Sequence, residues 1–321
     1  MKAMILAAGL GTRLRPLTRE VAKPAVPLLG QPLVVRLIRK LAREGVSDFR
    51  LNLHHAPESI KKLFRIPPWD SLPVTFSYED EILGTAGGLK ANESFFADGT
   101  FIMANADIVI DFSLQEALDF HRRNAALATM ILYPQEYPYR YFQVRIDQQG
   151  RLRHFKGMCP GGDLRPEAYV FTGVHILEPE IFSYIAAGKF SEINDEVYPA
   201  ALGKGEKICG IPVNGYWNDL GDPRRYLAAQ KDLLIREAPK RHTWFAPDVR
   251  VADSARVGPF VSAGSGCAIG AKATVENAIL WENVSVERGA TVRNCIVGSG
   301  MTLTGDLCDK IITRDGEVSL V

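Results

Sequence analysis

No two of the five cysteines (Cys159, Cys209, Cys267, Cys295 and Cys308) form a C-x-x-C pair, and they are odd in number and scattered. That pattern argues against a disulfide framework or a zinc site and suits reduced thiols. Neither charge sign is in surplus: 38 Lys and Arg stand against 37 Asp and Glu, a net charge of +1. A broad nucleic-acid-binding face needs a clustered basic excess, so no nucleic-acid partner is expected, and any anionic ligand must be met by a local cluster of cations. No apolar run approaches the ~18 residues that cross a bilayer. Met1 to Leu6 leads directly into a strand-like run without the length or cleavage pattern of a signal peptide. The expectation is a soluble, cytoplasmic protein with no membrane association. At 321 residues the chain exceeds what one core comfortably serves, so two domains are expected.

What is present has two textures. Up to about Arg236, short apolar runs alternate with helical stretches. Ala3–Ala8, Phe49–Leu53 and Phe101–Ala104 read as core strands, and Leu114–Arg123 reads as a helix. Leu33, Val34, Leu37, Ile38 and Leu41 recur at helical spacing, with Gly45 as a stop signal. Asp222-Pro223 pairs an N-cap with a proline at the first helical position, opening a helix to about Ile235. Alternation of this kind predicts a mostly parallel sheet covered on both faces. After a loop around Ala238–Pro247 the texture changes: Val251, Val257, Ala263, Ile269 and Val275 recur every six residues, and Val286 and Val292 resume the period after a shift. A six-residue aliphatic period predicts a parallel β-helix of roughly four coils, with the alternative of a small antiparallel sheet. The boundaries expected are residues 1–236 for the α/β domain and 237–321 for the β-helix.

The most informative stretch is Leu6-Ala-Ala-Gly9-Leu-Gly11-Thr12-Arg13-Leu-Arg15-Pro16-Leu-Thr18, with Lys23-Pro24 and Pro27 downstream. It follows a strand, where open α/β sheets bind ligands. Ala7, Ala8, Gly9 and Gly11 are small enough for backbone N–H groups to approach a ligand closely. The spacing is not that of a P-loop. A dinucleotide fingerprint would put a glycine where Arg13-Leu14 stand. Arg13, Arg15, Arg19 and Lys23 gather more charge than a pyrophosphate on a helix N-terminus needs, and suit a triphosphate.

The run G-x-G-T-R-x-R-P-L-T followed by K-P resembles the sugar-phosphate nucleotidyltransferases. So do Glu81-Ile-Leu-Gly84-Thr85-Ala-Gly87-Gly88, Asn105-Ala-Asp107, Tyr169-Val-Phe-Thr-Gly173 and Trp217-Asn-Asp219-Leu-Gly221-Asp-Pro223, in that order along the chain. The resemblance implies a Rossmann-like α/β domain followed by a left-handed hexapeptide-repeat β-helix. It implies joining of an NTP to a sugar 1-phosphate with release of pyrophosphate. Arg13 and Lys23 would be catalytic, and Asp107 and Asp219 would hold Mg²⁺. Leu6, Ala8, Gly9, Gly11, Thr12, Gly84, Thr85 and Gly88 would bind nucleotide. Asn105, Lys156, Gly173 and Asp195 would bind the sugar phosphate. One departure stands out: the family's E-K-P is replaced by His154-Phe155-Lys156-Gly157-Met158, so the lysine is assignable only as Lys156 or a neighbour, and the Glu is missing. Asn194, Asp195 and Glu196 are either a substitute carboxylate source or a solvated first helical turn. His54-His55 read as structural.

Within the family, the mannose-1-phosphate guanylyltransferases are the nearest likeness, through Asn105-Ala-Asp107-Ile-Val-Ile-Asp111-Phe112 and the short C-terminal β-helix. Uridylyl- or thymidylyltransferases acting on glucose 1-phosphate or N-acetylmuramate 1-phosphate are the alternative. Two other classes compete. A hexapeptide acyltransferase would want a histidine in the coils as general base, and the last histidine, His242, precedes the first clear hexad. An inert regulatory subunit would have no need of Arg13, Lys23, Asp107 and Asp219 together. The β-helix is expected to support homo-oligomer formation.

Overall fold

The computed structural model describes residues 1–19, 21–134, 141–157 and 163–320; Met158 and Cys159 lie outside them. The chain packs as two compact units, one comprising Met1–Gly9 with Leu37–Trp217 and the other Leu10–Arg36 with Asn218–Val321.

The first unit is built on β1 (Lys2–Leu6), β2 (Asp48–Leu53), β3 (Val74–Tyr78) and β4 (Phe101–Asn105), all mutually parallel in the order β3-β2-β1-β4. Helix α1 (Leu33–Arg43) connects β1 to β2 and buries Leu33, Val34, Leu37, Ile38 and Leu41, the stripe read from sequence. β5 (Ile108–Asp111) follows β4 after a two-residue turn, and helix α2 (Gln115–Asn124) leads into β6 (Ala128–Pro134). The sheet continues through β7 (Gln143–Ile146), β8 (Leu152–His154), β9 (Tyr169–Leu177) and β10 (Ile208–Pro212). β9 is the pivot: it runs antiparallel to β6 along one side and, on the other, to β7 at its start and to β4 at its end, so the sheet extends past its parallel block. β11 (Tyr216–Asp219) pairs with β5 in a two-stranded ribbon. The core is continuous, from Met4, Met103 and Met130 to Leu152, Phe182 and Tyr198.

In the second unit, helix α3 (Pro223–Glu237) starts as its sequence predicts: the Asp222 carboxylate accepts from the Arg225 N–H at 2.9 Å and Pro223 follows directly. The six-residue period becomes a parallel β-helix. Val251, Ile269, Val286 and Leu303 stack on one side, and Val257, Val275, Val292 and Leu307 on another. Ala263, Leu280, Val297 and Ile312 form the third. Apart from Val251, which is exposed, these aliphatic side chains are packed into one core. The shift after Val275 is a shortened corner. Asn277, Asn294 and Asp309 all adopt left-handed backbone there, and their side chains form a ladder, with amide groups donating at 2.9 and 3.0 Å. Asparagine and aspartate tolerate that conformation best after glycine. The loop expected around Ala238–Pro247 contains a strand instead: Thr243–Phe245 pairs with Val261–Ala263 and opens the first coil, its own aliphatic period being too short to read.

Burial fixes the protonation of His175 on β9. Its Nδ1 meets the Tyr198 hydroxyl at 2.5 Å, and the loss of solvent pushes its pKa from 6.5 down to about 3. Below pH 6.5 the unfolded chain takes up a proton that the folded one refuses, so stability is lost as pH falls through this window. Urea unfolding of wild type and His175→Gln should show the wild type losing about 1.4 kcal/mol more per pH unit between about pH 6 and 4. Equal pH slopes would contradict this.

Candidate active site

The first unit carries one set of signature residues. Leu6 ends β1 beside Asn105 of β4, and its carbonyl accepts from the Ala106 N–H at 3.2 Å. The turn that follows is tied down from below. The Ala7 N–H donates to Asn52 Oδ1 (2.8 Å), Asn52 Nδ2 donates to Glu79 Oε1 (2.7 Å), and Glu79 Oε2 accepts from the Leu83 N–H (2.9 Å). Asn52 and Glu79 are both buried. This chain of hydrogen bonds links the strand end carrying Ala8 and Gly9 to the start of the G-T-A-G helix, Gly84–Lys90. The Ala7 amide, expected to face ligand, is therefore taken by Asn52. Gly9 is exposed, with open space where a Cβ would stand.

Gly84 lies against Ser191, whose carbonyl would be 2.5 Å from a Cβ, and Gly88 lies against Glu79 Oε1, also at 2.5 Å. Both glycines thus have a packing reason to lack side chains. The Thr85 hydroxyl donates to Glu192 at 2.6 Å and accepts from the Ile193 N–H at 2.9 Å, joining this helix to the turn that bears Asp195. His54 bonds the Glu79 carbonyl at 2.8 Å, the structural role expected of it.

Asp107 occupies the turn between β4 and β5, half-buried. Asn105, at the end of β4, packs its amide against Gly173, where a Cβ would meet Nδ2 at 2.8 Å. Gly173 has φ +86° and sits in a break of the β9–β6 register between Phe171 and His175. Such bulges re-aim strands beside functional sites, and only glycine combines this backbone with so close a neighbour. The Trp217 indole N–H donates to the Thr172 carbonyl at 2.7 Å, fixing the same bulge.

Lys156 follows β8 with its own backbone at φ +46°, an uncommon conformation for lysine. Its ammonium pairs with Asp195 at 2.9 Å, and both border a cavity of about 370 Å³ with Phe142, Gln143, His154 and Gly157. Asp195 is therefore the carboxylate beside this lysine, which the missing family Glu left unassigned.

The second unit carries the other set. Gly11 is left-handed (φ +62°) and opens the short helical turn Thr12–Leu14, and its carbonyl accepts from the Thr18 hydroxyl at 2.7 Å. Lys23 is buried and packs on Gly11, its Cβ 3.1 Å from where a glycine Cβ would stand. Arg13 and Thr12 are exposed. Asp219 receives two bonds from Arg225 Nη1, at 2.6 and 2.8 Å, and Arg225 also pairs with Asp222 at 3.2 Å. Gly221 is the hub: a Cβ there would lie 2.7 Å from Arg225 Nη1, 3.3 Å from Asp219 Oδ2 and 3.4 Å from Arg13 Nη1. The structure thus brings Arg13 and Asp219 together, though they are distant in sequence. Arg19, grouped with the phosphate cations from sequence, instead pairs with Asp315 at 2.9 Å.

Sequence reasoning missed Asn52, Glu79 and Arg225. The available signals were a polar residue inside the apolar strand F-R-L-N-L and an arginine two residues into a helix after D-P. Among the described residues no three His, Cys, Asp or Glu side chains gather as a metal site. The donors available are the two aspartates. Each offers carboxylate oxygens, the kind of ligand that Mg²⁺ accepts.

A glycine–arginine turn at the end of the first strand of an α/β sheet, with carboxylates at later strand ends, defines an enzyme of nucleotidyl transfer. The chain belongs to the nucleotidyl transferase family, whose model matches residues 2–236, and residues 240–307 match the GMPPB C-terminal domain. Enzymes of this family generally use a divalent metal. The chain is 33% identical over 250 residues to a UTP–glucose-1-phosphate uridylyltransferase of Synechocystis sp., the match covering 74% of the chain and 64% of that relative. It is 27% identical to a mannose-1-phosphate guanyltransferase of Emericella nidulans, across 99% of the chain and 95% of the relative. The crystal structure of HddC from Yersinia pseudotuberculosis complexed with GMP-PN shares the fold, with a TM-score of 0.62 at 23% identity over 72% of this chain and 99% of that one. No helix among the described residues is long and apolar enough to cross a membrane.

The Asn52–Glu79 link gives a stability prediction. Asn52→Leu leaves the Ala7 N–H and one Glu79 oxygen buried without these partners, and should destabilise by about 2–4 kcal/mol, read from the urea midpoint at unchanged slope. A loss below about 0.5 kcal/mol would show that the link carries no load.

Proposed function

We propose that the chain transfers a nucleotidyl group from an NTP to a sugar 1-phosphate, with GTP and mannose 1-phosphate as the substrate pair. The observation that carries this reading is the gathering of Arg13, Asp219 and Arg225 around Gly221, with Lys23 buried against Gly11 in the same unit. The choice of pair rests on relatives matching nearly the full chain, such as the Emericella nidulans enzyme. A second pair, UTP with glucose 1-phosphate, is favoured by the name of the Synechocystis relative.

In the reaction, an oxygen of the sugar phosphate attacks the α-phosphorus; the new P–O bond forms as the α–β bridge breaks and pyrophosphate leaves. Both partners are anions, so catalysis is charge neutralisation and alignment. Arg13 steadies the β- and γ-phosphates, where charge accumulates on the leaving group. Lys23, its stem buried, presents one cation toward the α-phosphate. Leu6, Ala8, Gly9, Gly11, Thr12, Gly84, Thr85 and Gly88 line the nucleotide with backbone and small side chains. Asn105, Lys156, Gly173 and Asp195 hold the sugar phosphate. Asp107 and Asp219 would hold Mg²⁺, which would supply Lewis acidity toward the phosphates. We further propose a cytoplasmic homo-oligomer assembled through the β-helix, whose coil faces suit subunit packing. On this reading residues 1–236 form the catalytic domain and 237–321 the assembly domain.

Pyrophosphate release from five NTPs against a panel of sugar 1-phosphates, with and without Mg²⁺, tests the reading. GTP with mannose 1-phosphate should give the highest kcat/KM, and Lys23→Ala should lower kcat by ~10²–10³-fold. Asp107→Ala should abolish the Mg²⁺-dependent rate. No activity with any pair would overturn the assignment, and near-full activity of Asp107→Ala would remove that residue from metal binding.

A further inference from the structure

The cavity beside Lys156 contains one feature that charge neutralisation does not require. Phe142, immediately before β7, is 66% exposed and lines that cavity with Gln143, His154, Lys156, Gly157 and Asp195. A phenyl ring left this open forgoes the burial that normally stabilises it. Its position is nonetheless defined: the Lys156 ammonium lies 5.4 Å from the ring centroid, while the ring of Phe155, 6.0 Å from the same ammonium, is buried. The cavity therefore presents, side by side, a cation with its paired carboxylate and an uncovered aromatic face. Gln143 and His154, both able to hydrogen-bond, line the same space.

We infer that Phe142 is a specificity-determining residue for the sugar: its exposed face stacks on the C–H-bearing face of a neutral pyranose 1-phosphate whose phosphate is met by Lys156. This rests on the function proposed above and deepens it by naming the class of sugar. A pyranose has an apolar face formed by its ring hydrogens and an edge of hydroxyls, which is the complement of a ring flanked by polar side chains. The charge balance narrows the class. Among the described lining residues Lys156 is the lone permanent cation, and Asp195 already matches it at 2.9 Å. A sugar bearing a carboxylate, such as N-acetylmuramate 1-phosphate, would bring a further negative charge beside Asp195 with no second permanent cation among the described lining residues to offset it. Lys156 has left-handed backbone here, and among the described residues nothing stands within 4 Å of where a Gly157 Cβ would be.

The test is steady-state pyrophosphate release by the full-length protein and its Phe142→Ala and Phe142→Tyr variants, with GTP and mannose 1-phosphate varied in turn. Phe142→Ala should raise the KM for mannose 1-phosphate about ten-fold while leaving the KM for GTP unchanged, and Phe142→Tyr should stay within about two-fold of wild type in both. The unchanged KM for GTP shows that the alanine variant is folded. An unaltered sugar KM in Phe142→Ala, equal rises in both KM values, or failure of Phe142→Tyr to retain wild-type behaviour would each overturn the inference. Use of N-acetylmuramate 1-phosphate by wild type as efficiently as mannose 1-phosphate would overturn the neutral-sugar assignment. A wild type inactive with every sugar 1-phosphate would instead overturn the reading on which the inference rests.

Discussion

Opposite charges packed around a residue without a side chain are the constraint on which the rest of this site depends. At Gly221, two guanidinium groups and a carboxylate converge on a space that a single methyl group would fill. The carboxylate of Asp219 at the same point offsets the repulsion between Arg13 and Arg225, and Asp219 is in turn held by both contacts from Arg225. Arg225 is itself oriented by Asp222, which also caps the helix from which Arg225 projects. One short run, Trp217 to Arg225, thereby supplies a carboxylate, its counter-ion and the start of a helix. The surface net charge can stay near zero because the cationic field is made locally.

The first unit solves a different problem, how to fix a bare glycine turn. A turn of alanines and glycine carries no bulky side chains and so has little packing of its own. Asn52 and Glu79 supply the anchorage from beneath, using buried hydrogen bonds in place of apolar contact. The same carboxylate receives the Leu83 N–H, so the strand end and the G-T-A-G helix share one support. The bulge at Gly173 does the equivalent work beside Asn105, held by the indole of Trp217.

Much of this was legible in the chain. The helical stripe of α1, the cap at Asp222-Pro223, the core strands and the six-residue period are local patterns, and local patterns survive folding when burial agrees with them. The mostly parallel sheet and the β-helix followed from them. What stayed hidden was long-range or compensatory. Asn52 looks like a flaw in a core strand until Glu79 is opposite it. Arg225 looks like a surface helical residue until Asp219 folds back upon it. Arg19 looks like one more phosphate cation until Asp315 takes it. The hexad shift after Val275 had no meaning until Asn277, Asn294 and Asp309 were seen stacked at one corner. The discontinuous units, with residues 10–36 packed alongside 218–321, are likewise invisible to any reading that proceeds along the chain.

The claim that this local field exists to receive polyphosphate is tested most directly by equilibrium binding. Titration calorimetry of wild type and Arg13→Gln with GTP, in Mg²⁺ and at fixed ionic strength, should show the variant weakened about ten- to a hundred-fold, with its unfolding midpoint preserved. An Arg13→Gln protein that binds GTP as tightly as wild type would contradict the account.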